Sequence, residues 1–308
     1  MPGAVAGVRF VTLRDVTLRD GLQDEEAVDT ATKVRIFDAL VAAGVRDLEL
    51  TSFVRPDRVP ALADAEALCA ATAGREVTRW GLVLNRRGAQ RALAAGLGHL
   101  QFVVSVSDTH SRHNTGRSTG DAMAALAEVC ADAAAEGAVV EVTLATAFGC
   151  PYEQAVDPAR VAELARRCES FGVTSIGLAD TIGVAVPVEV TGLIDVVRDV
   201  VTVPVGVHLH DTRGLGVANA LAAVEAGIDR IDGSVGALGG CPFAPGASGN
   251  LALEDLVHVL DATGIRTGVS VTGLIDAARI ACDAVGRKVE SHVGVAGPRF
   301  AEHRVPPR

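Results

Sequence analysis

The chain has 308 residues, 49% hydrophobic and 21% charged, with a formal net charge of −10. That balance points to a compact soluble protein with a large core, and it excludes a disordered chain and a general nucleic-acid binder. No apolar run reaches about 18 residues without charge, and Met1-Pro2-Gly3-Ala4-Val5 lacks the regions of a signal peptide, so no membrane association and a cytoplasmic location are expected.

In chain order, β-branched runs alternate with Ala-rich helical runs. A strand over Val11 to Leu18 precedes a helix over Ala31 to Ala43, and Asp47 to Thr51 precedes Ala61 to Thr72. Arg79 to Leu84 pairs in the same way with Arg86 to Ala95, His99 to Val104 with Thr119 to Glu136, and Val139 to Thr143 with Pro158 to Phe171. Ser175 to Leu178 leads to Val186 to Val200, Val203 to His208 to Gly214 to Ala226, and Arg230 to Ser234 to Leu253 to Ala262. Gly44, Gly96, Gly137, Gly172 and Gly227 end helical runs just before a strand. Eight such units predict an α/β fold, a TIM (β/α)8 barrel, with an additional C-terminal helix over Val271 to Val285. The expected organisation is one domain over residues 1–308, with the barrel at about 8–264 and the helix and tail at about 265–308.

In a barrel of this kind reactive groups stand at the carboxyl ends of strands. His208 and His210 end the seventh strand. Two residues apart, they share one face with their roots roughly 6.5 to 7 Å apart, within reach of one ion. A hydrogen-bonded imidazole pair is the alternative. Asp20, which with Arg19 ends the first strand, and Asn250 in the last loop complete an O-N-N-O set suited to Mg²⁺ or Mn²⁺, and able to accept Co²⁺ or Zn²⁺. Lysine is nearly absent: Lys33 falls in a helical pattern and Lys288 near the end, which disfavours a Schiff-base route. Six cysteines (Cys69, Cys130, Cys150, Cys168, Cys241, Cys282) form no C-x-x-C pair, so neither a disulfide framework nor a structural zinc site is expected. Thr12-Leu13-Arg14-Asp15 duplicates Thr17-Leu18-Arg19-Asp20; only the second copy continues into Gly21-Leu22-Gln23.

The stretches Leu18 to Gln23, Thr51 to Val54, Gly149 to Glu153, Asp180 to Gly183 and Gly239 to Asn250 resemble, in order, the motifs of the 3-hydroxy-3-methylglutaryl-CoA lyases. The resemblance implies metal-dependent cleavage of a 3-hydroxyacyl-CoA to acetyl-CoA and a 3-oxo acid, acetoacetate, in a homodimer. It implies metal ligands at Asp20, His208, His210 and Asn250, a catalytic arginine at Arg19, a loop cysteine at Cys241, and active-site acids at Glu49 and Asp180. Asp180 or a histidine of the metal set is the expected base. Gln23, Ser52, Thr143 and Arg213 are expected substrate contacts.

Two positions depart from the family's habit. Thr143 stands where a tyrosine is usual, and His210-Asp211-Thr212-Arg213-Gly214 replaces His-Asp-Thr-Tyr-Gly. The run from Ser105 to Arg117, with His110, Arg112 and His113, reads as a polar loop whose arginines meet solvent, a substrate carboxylate or a CoA phosphate. A Claisen-type synthase joining acetyl-CoA to a 2-oxo acid, and a non-catalytic acyl-CoA-binding protein, are the alternative readings.

Overall fold

The computed structural model describes residues 9–240 and 249–300. Eight parallel strands close into a barrel in sequence order: β1 (Thr12–Asp15), β2 (Asp47–Ser52), β3 (Thr78–Val83), β4 (His99–Ser105), β5 (Val139–Ala145), β6 (Ser175–Asp180), β7 (Val205–Leu209) and β8 (Arg230–Gly233). β8 returns to β1 with Thr12 opposite Arg230 and Asp15 opposite Gly233. The surrounding helices are α1 (Thr30–Ala42), α2 (Ala65–Ala71), α3 (Arg86–Ala94), α4 (Asp108–Thr115), α5 (Thr119–Ala135), α6 (Pro158–Ser170), α7 (Pro187–Arg198), α8 (Gly216–Glu225), α9 (Leu253–Ala262), α10 (Val271–Ala284) and α11 (His292–Ala296).

Strand periodicity sorts the side chains. On β5, Val140, Val142 and Leu144 join the apolar layer under the helices, while Glu141 and Thr143 face the barrel axis. The lower end of the barrel is closed by charge. Arg14 donates to both oxygens of Glu141 at 2.9 and 3.0 Å and to Asp47 at 2.7 Å, and its guanidinium lies 4.1 Å over the Trp80 ring. Arg230 reaches Glu141 at 2.7 Å and occupies space that a side chain at Gly206 would take. These charged groups separate the cavity at the carboxyl ends of the strands from the amino end of the barrel. The first Arg-Asp copy thus supplies the barrel floor.

Three elements differ from the sequence reading. The first strand stops at Asp15, and Thr17–Gly21 forms one turn of π-helix, with Val16 O accepting from Arg19, Asp20 and Gly21 N. Arg19 and Asp20 therefore stand on a buried turn, not on a strand end. The polar run after β4 is helical: Ser107 caps α4 by accepting from His110 N, and Gly116 ends it in the left-handed region at φ 74°. Its caps make this helix without any apolar stripe, which is why periodicity misses it. Ala61 to Thr72 is divided between a 3-10 turn at Pro60–Leu62 and α2. The extra helix, α10, packs against α1. Among the described residues no helix is long and apolar enough to cross a membrane.

Candidate active site

The π-turn after β1 carries the first two groups. Asp15 accepts from Thr17 N and Oγ1, and Thr17 Oγ1 accepts from Val235 N, which ties the turn to the segment after β8. Such turns recur at functional sites, and here Arg19 and Asp20 both line the cavity. Arg19 pairs with Asp20 through Nη1 and with Glu49 Oε2 at 2.8 Å through Nη2. Burial disfavours the guanidinium charge, but the two carboxylates outweigh it and keep Arg19 protonated. Burial also opposes ionisation of Asp20, yet Arg19 and the two histidines hold its carboxyl down at about 2. Glu49 is raised by burial against the pull of Arg19, and its Oε1 has no partner.

β7 delivers the imidazoles. His208 Nε2 and His210 Nε2 lie 3.1 Å apart, and each is 3.8 Å from Asp20 Oδ2. Two nitrogens about 2.1 Å from one ion at cis angles are separated by roughly 3.0 to 3.4 Å. Three ligand atoms from Asp20, His208 and His210, all within 4.8 Å of one another, make a buried group able to hold a metal. Asp232 on β8 lies 3.6 Å from His208 Nδ1. It favours a proton on that nitrogen and leaves the Nε2 lone pair toward Asp20 and His210, the usual arrangement behind a metal-ligating imidazole. Burial lowers His208, but the neighbouring carboxylates of Asp232 and Asp20 raise it above the ordinary value. His210 falls to about 4 through burial and the neighbouring His208.

Asn250 is fully buried beside this group. Its Nδ2 donates to Asp20 Oδ2 at 2.8 Å and Leu238 O at 3.1 Å, while its Oδ1 has no partner. An orphaned amide oxygen beside two imidazoles and a carboxylate is the donor set that a divalent ion satisfies. Gly239 lies so close that a Cβ there would be 2.3 Å from Asn250 Nδ2; its φ of 108° also favours glycine. Cys241 lies outside the described residues.

The groups of the π-turn and of β7 line a cavity of about 850 Å³. Gln23, Ser52 and Thr143 line it with Arg19, Asp20, Glu49, His208 and His210, and Ser52 Oγ is buried without a partner. α4 supplies His110, Arg112 and His113; Arg55, Arg58 and Arg117 stand at the same mouth. This cationic rim contrasts with the net charge of −10. Two sequence-predicted residues are not brought to the cavity. Asp180 is 1% exposed and accepts from Val184 N and Ala185 N at 2.9 and 3.0 Å, so its carboxylate holds the loop after β6. Arg213 Nη1 donates to Ile182 O and Gly183 O, clamping that loop from the far side. Cys150 is structural: its thiol donates to Ser107 Oγ and accepts from Tyr152 N and Glu153 N. Lys33 pairs with Asp64 and Ala61 O beneath α2, away from the cavity.

The sequence reading missed Asp232 and Gln101. Both carried a period-two signal, since Arg230, Asp232 and Ser234, and likewise His99 and Gln101, place polar groups on one strand face.

A family model described as HMGL-like matches residues 10–281. The (R)-citramalyl-CoA lyase of Chloroflexus aurantiacus is 39% identical over 95% of this chain and 96% of its own. The mitochondrial hydroxymethylglutaryl-CoA lyase of Mus musculus is 40% identical over 93% of this chain and 89% of its own. Among solved structures, an HMG-CoA lyase from Acinetobacter baumannii in complex with coenzyme A and 3-methylmalate aligns with a TM-score of 0.93 at 35% identity, covering 98% of this chain and 100% of that one. The Bacillus subtilis HMG-CoA lyase aligns with a TM-score of 0.90 at 36% identity, over 94% of this chain and 98% of that one. Barrel, cavity and sequence agree, and the chain belongs to the HMGL-like family of lyases.

Proposed function

We propose that this chain is a divalent-metal-dependent carbon-carbon lyase that cleaves 3-hydroxy-3-methylglutaryl-CoA, or a close relative such as the citramalyl thioester, to acetyl-CoA and an oxo acid. The observation that carries the reading is the meeting of Asp20, His208 and His210 with the Arg19–Glu49 pair in one cavity, with Asn250 bonded to Asp20 beside them. When bound there, a divalent ion supplies the charge that lowers the pKa of a tertiary hydroxyl and orients the substrate oxygens.

Glu49 takes the hydroxyl proton. Its Oε2 is fixed by Arg19, its Oε1 is unengaged, and burial raises its proton affinity. Asp180, held by two backbone amides, is poorly placed for that role. As the bond between the carbinol carbon and the thioester α-carbon breaks, the electron pair moves toward the thioester carbonyl. Arg19, charged and preorganised by two carboxylates, stabilises the oxygen that receives it. The α-carbon then takes a proton, a role assigned to Cys241 on its motif. The rim residues Arg112 and Arg117 face the CoA phosphates.

The test is acetyl-CoA release from both thioesters before and after chelation. Loss on chelation and recovery with Mg²⁺ or Mn²⁺ is the expected result. Turnover that persists in the chelated protein would overturn the metal dependence, and condensation of acetyl-CoA with a 2-oxo acid would favour the synthase reading.

A further inference from the structure

Gln101 on β4 and Thr143 on β5 lie side by side at the bottom of the cavity, above the charged floor. Arg14 Nη1 donates to Gln101 Oε1 at 3.4 Å, and Gln101 Nε2 donates to Thr143 Oγ1. A guanidinium can only donate, so the amide oxygen faces Arg14 and the amide NH₂ faces Thr143. The chain of bonds has one direction. Thr143 Oγ1 receives a hydrogen bond, and among the described residues none accepts its proton. The hydroxyl is also backed by Gly177, where a Cβ would sit 2.7 Å from Thr143 Oγ1.

We propose that Thr143 is a specificity-determining donor that reads the carboxylate arm of the acyl substrate, with Gln101 and Arg14 as positioning residues that direct its proton. The inference rests on the acyl-CoA lyase reading and deepens it. Coenzyme A is large and needs the open rim, because Arg14, Glu141 and Arg230 close the other end. The short acid arm is therefore the part that reaches the bottom. A carboxylate only accepts hydrogen bonds, and a hydroxyl whose oxygen is already engaged offers it the matching donor. The fixed position of that donor makes arm length the quantity read.

The test measures binding by calorimetry and acetyl-CoA release with three thioesters: hydroxymethylglutaryl, citramalyl with an acid arm one carbon shorter, and 3-hydroxy-3-methylbutyryl with no carboxylate. Thr143→Val should weaken the preferred carboxylated thioester roughly tenfold to a hundredfold and leave the carboxylate-free one unchanged. Thr143→Ser should retain the preference. Gln101→Glu should reproduce the loss, because an acceptor beside Thr143 turns its proton away from the substrate, and the double variant should lose no more than either single one. Equal weakening of carboxylated and carboxylate-free thioesters, or Gln101→Glu binding as the wild type does, would overturn the proposal. Discriminating binding without acetyl-CoA release would support Thr143 and count against the lyase reading. Wild-type protein that binds none of the three would overturn both.

Discussion

Arg14→Met removes the cation from the barrel floor while keeping most of the side-chain length. Arg14 is 2% exposed and donates three charge-assisted bonds, two to Glu141 and one to Asp47. Breaking a buried ion pair from one side costs about 3–5 kcal/mol, because the partner is left charged and uncompensated. Here Glu141 keeps Arg230 and the Ser175 hydroxyl, and Asp47 keeps some access to water, so the lower end, about 3 kcal/mol, is expected. With an unfolding entropy of about 2.1 cal/mol/K per residue, a chain of this size loses roughly 5 °C in Tm. Scanning calorimetry at neutral pH reads the shift directly. Combining the change with Glu141→Gln should cost about 1–2 kcal/mol less than the two separate losses added together, since both act on one pair. A Tm within about 2 °C of the wild type, or strict additivity, would refute the view that this pair is a coupled buried unit.

Arg19→Met should lower kcat by about 100- to 1,000-fold while calorimetry still detects Mn²⁺ binding; undiminished turnover would remove Arg19 from the chemistry. Asp232→Asn should weaken Mn²⁺ about 10- to 100-fold by freeing the His208 ring, and an unaltered titration would show that Asp232 does not orient it. Glu254 is buried with Oε2 unpaired and its pKa is raised to about 7 by burial, so the folded chain holds a proton that the unfolded chain has released. Stability should therefore fall as pH rises from about 4.5 through about 7. Glu254→Gln should flatten that fall by on the order of 1–3 kcal/mol in urea midpoints taken at pH 5 and pH 8, and parallel curves for the two proteins would contradict it.

The grouping of Asp20, His208, His210 and Asn250 was legible because barrel position and a long glycine motif locate them without reference to neighbours. His208 and His210 needed only a period of two, and Asp20 and Asn250 needed only the rim rule. Asp180 and Arg213 look equally well placed in sequence, yet the loop after β6 folds back and claims both side chains with its own backbone groups. Loop backbone decides such cases, and no periodicity reports it. The segment after β4 misled for a different reason: it is a helix made by caps at Ser107 and Gly116, with no apolar stripe to reveal it.

The sequence by itself determined the barrel and the strand faces, because alternation of apolar and polar residues is local and each β/α unit repeats it. It also separated two Arg-Asp copies without saying what divides them. Only the tertiary structure decided that Arg14 seals the floor while Arg19, five residues on, stands in the cavity on a π-turn. It alone placed Asp232 behind His208 and Gln101 beside Thr143. These pairings join different strands, and register around a closed barrel, not spacing along the chain, brings them together.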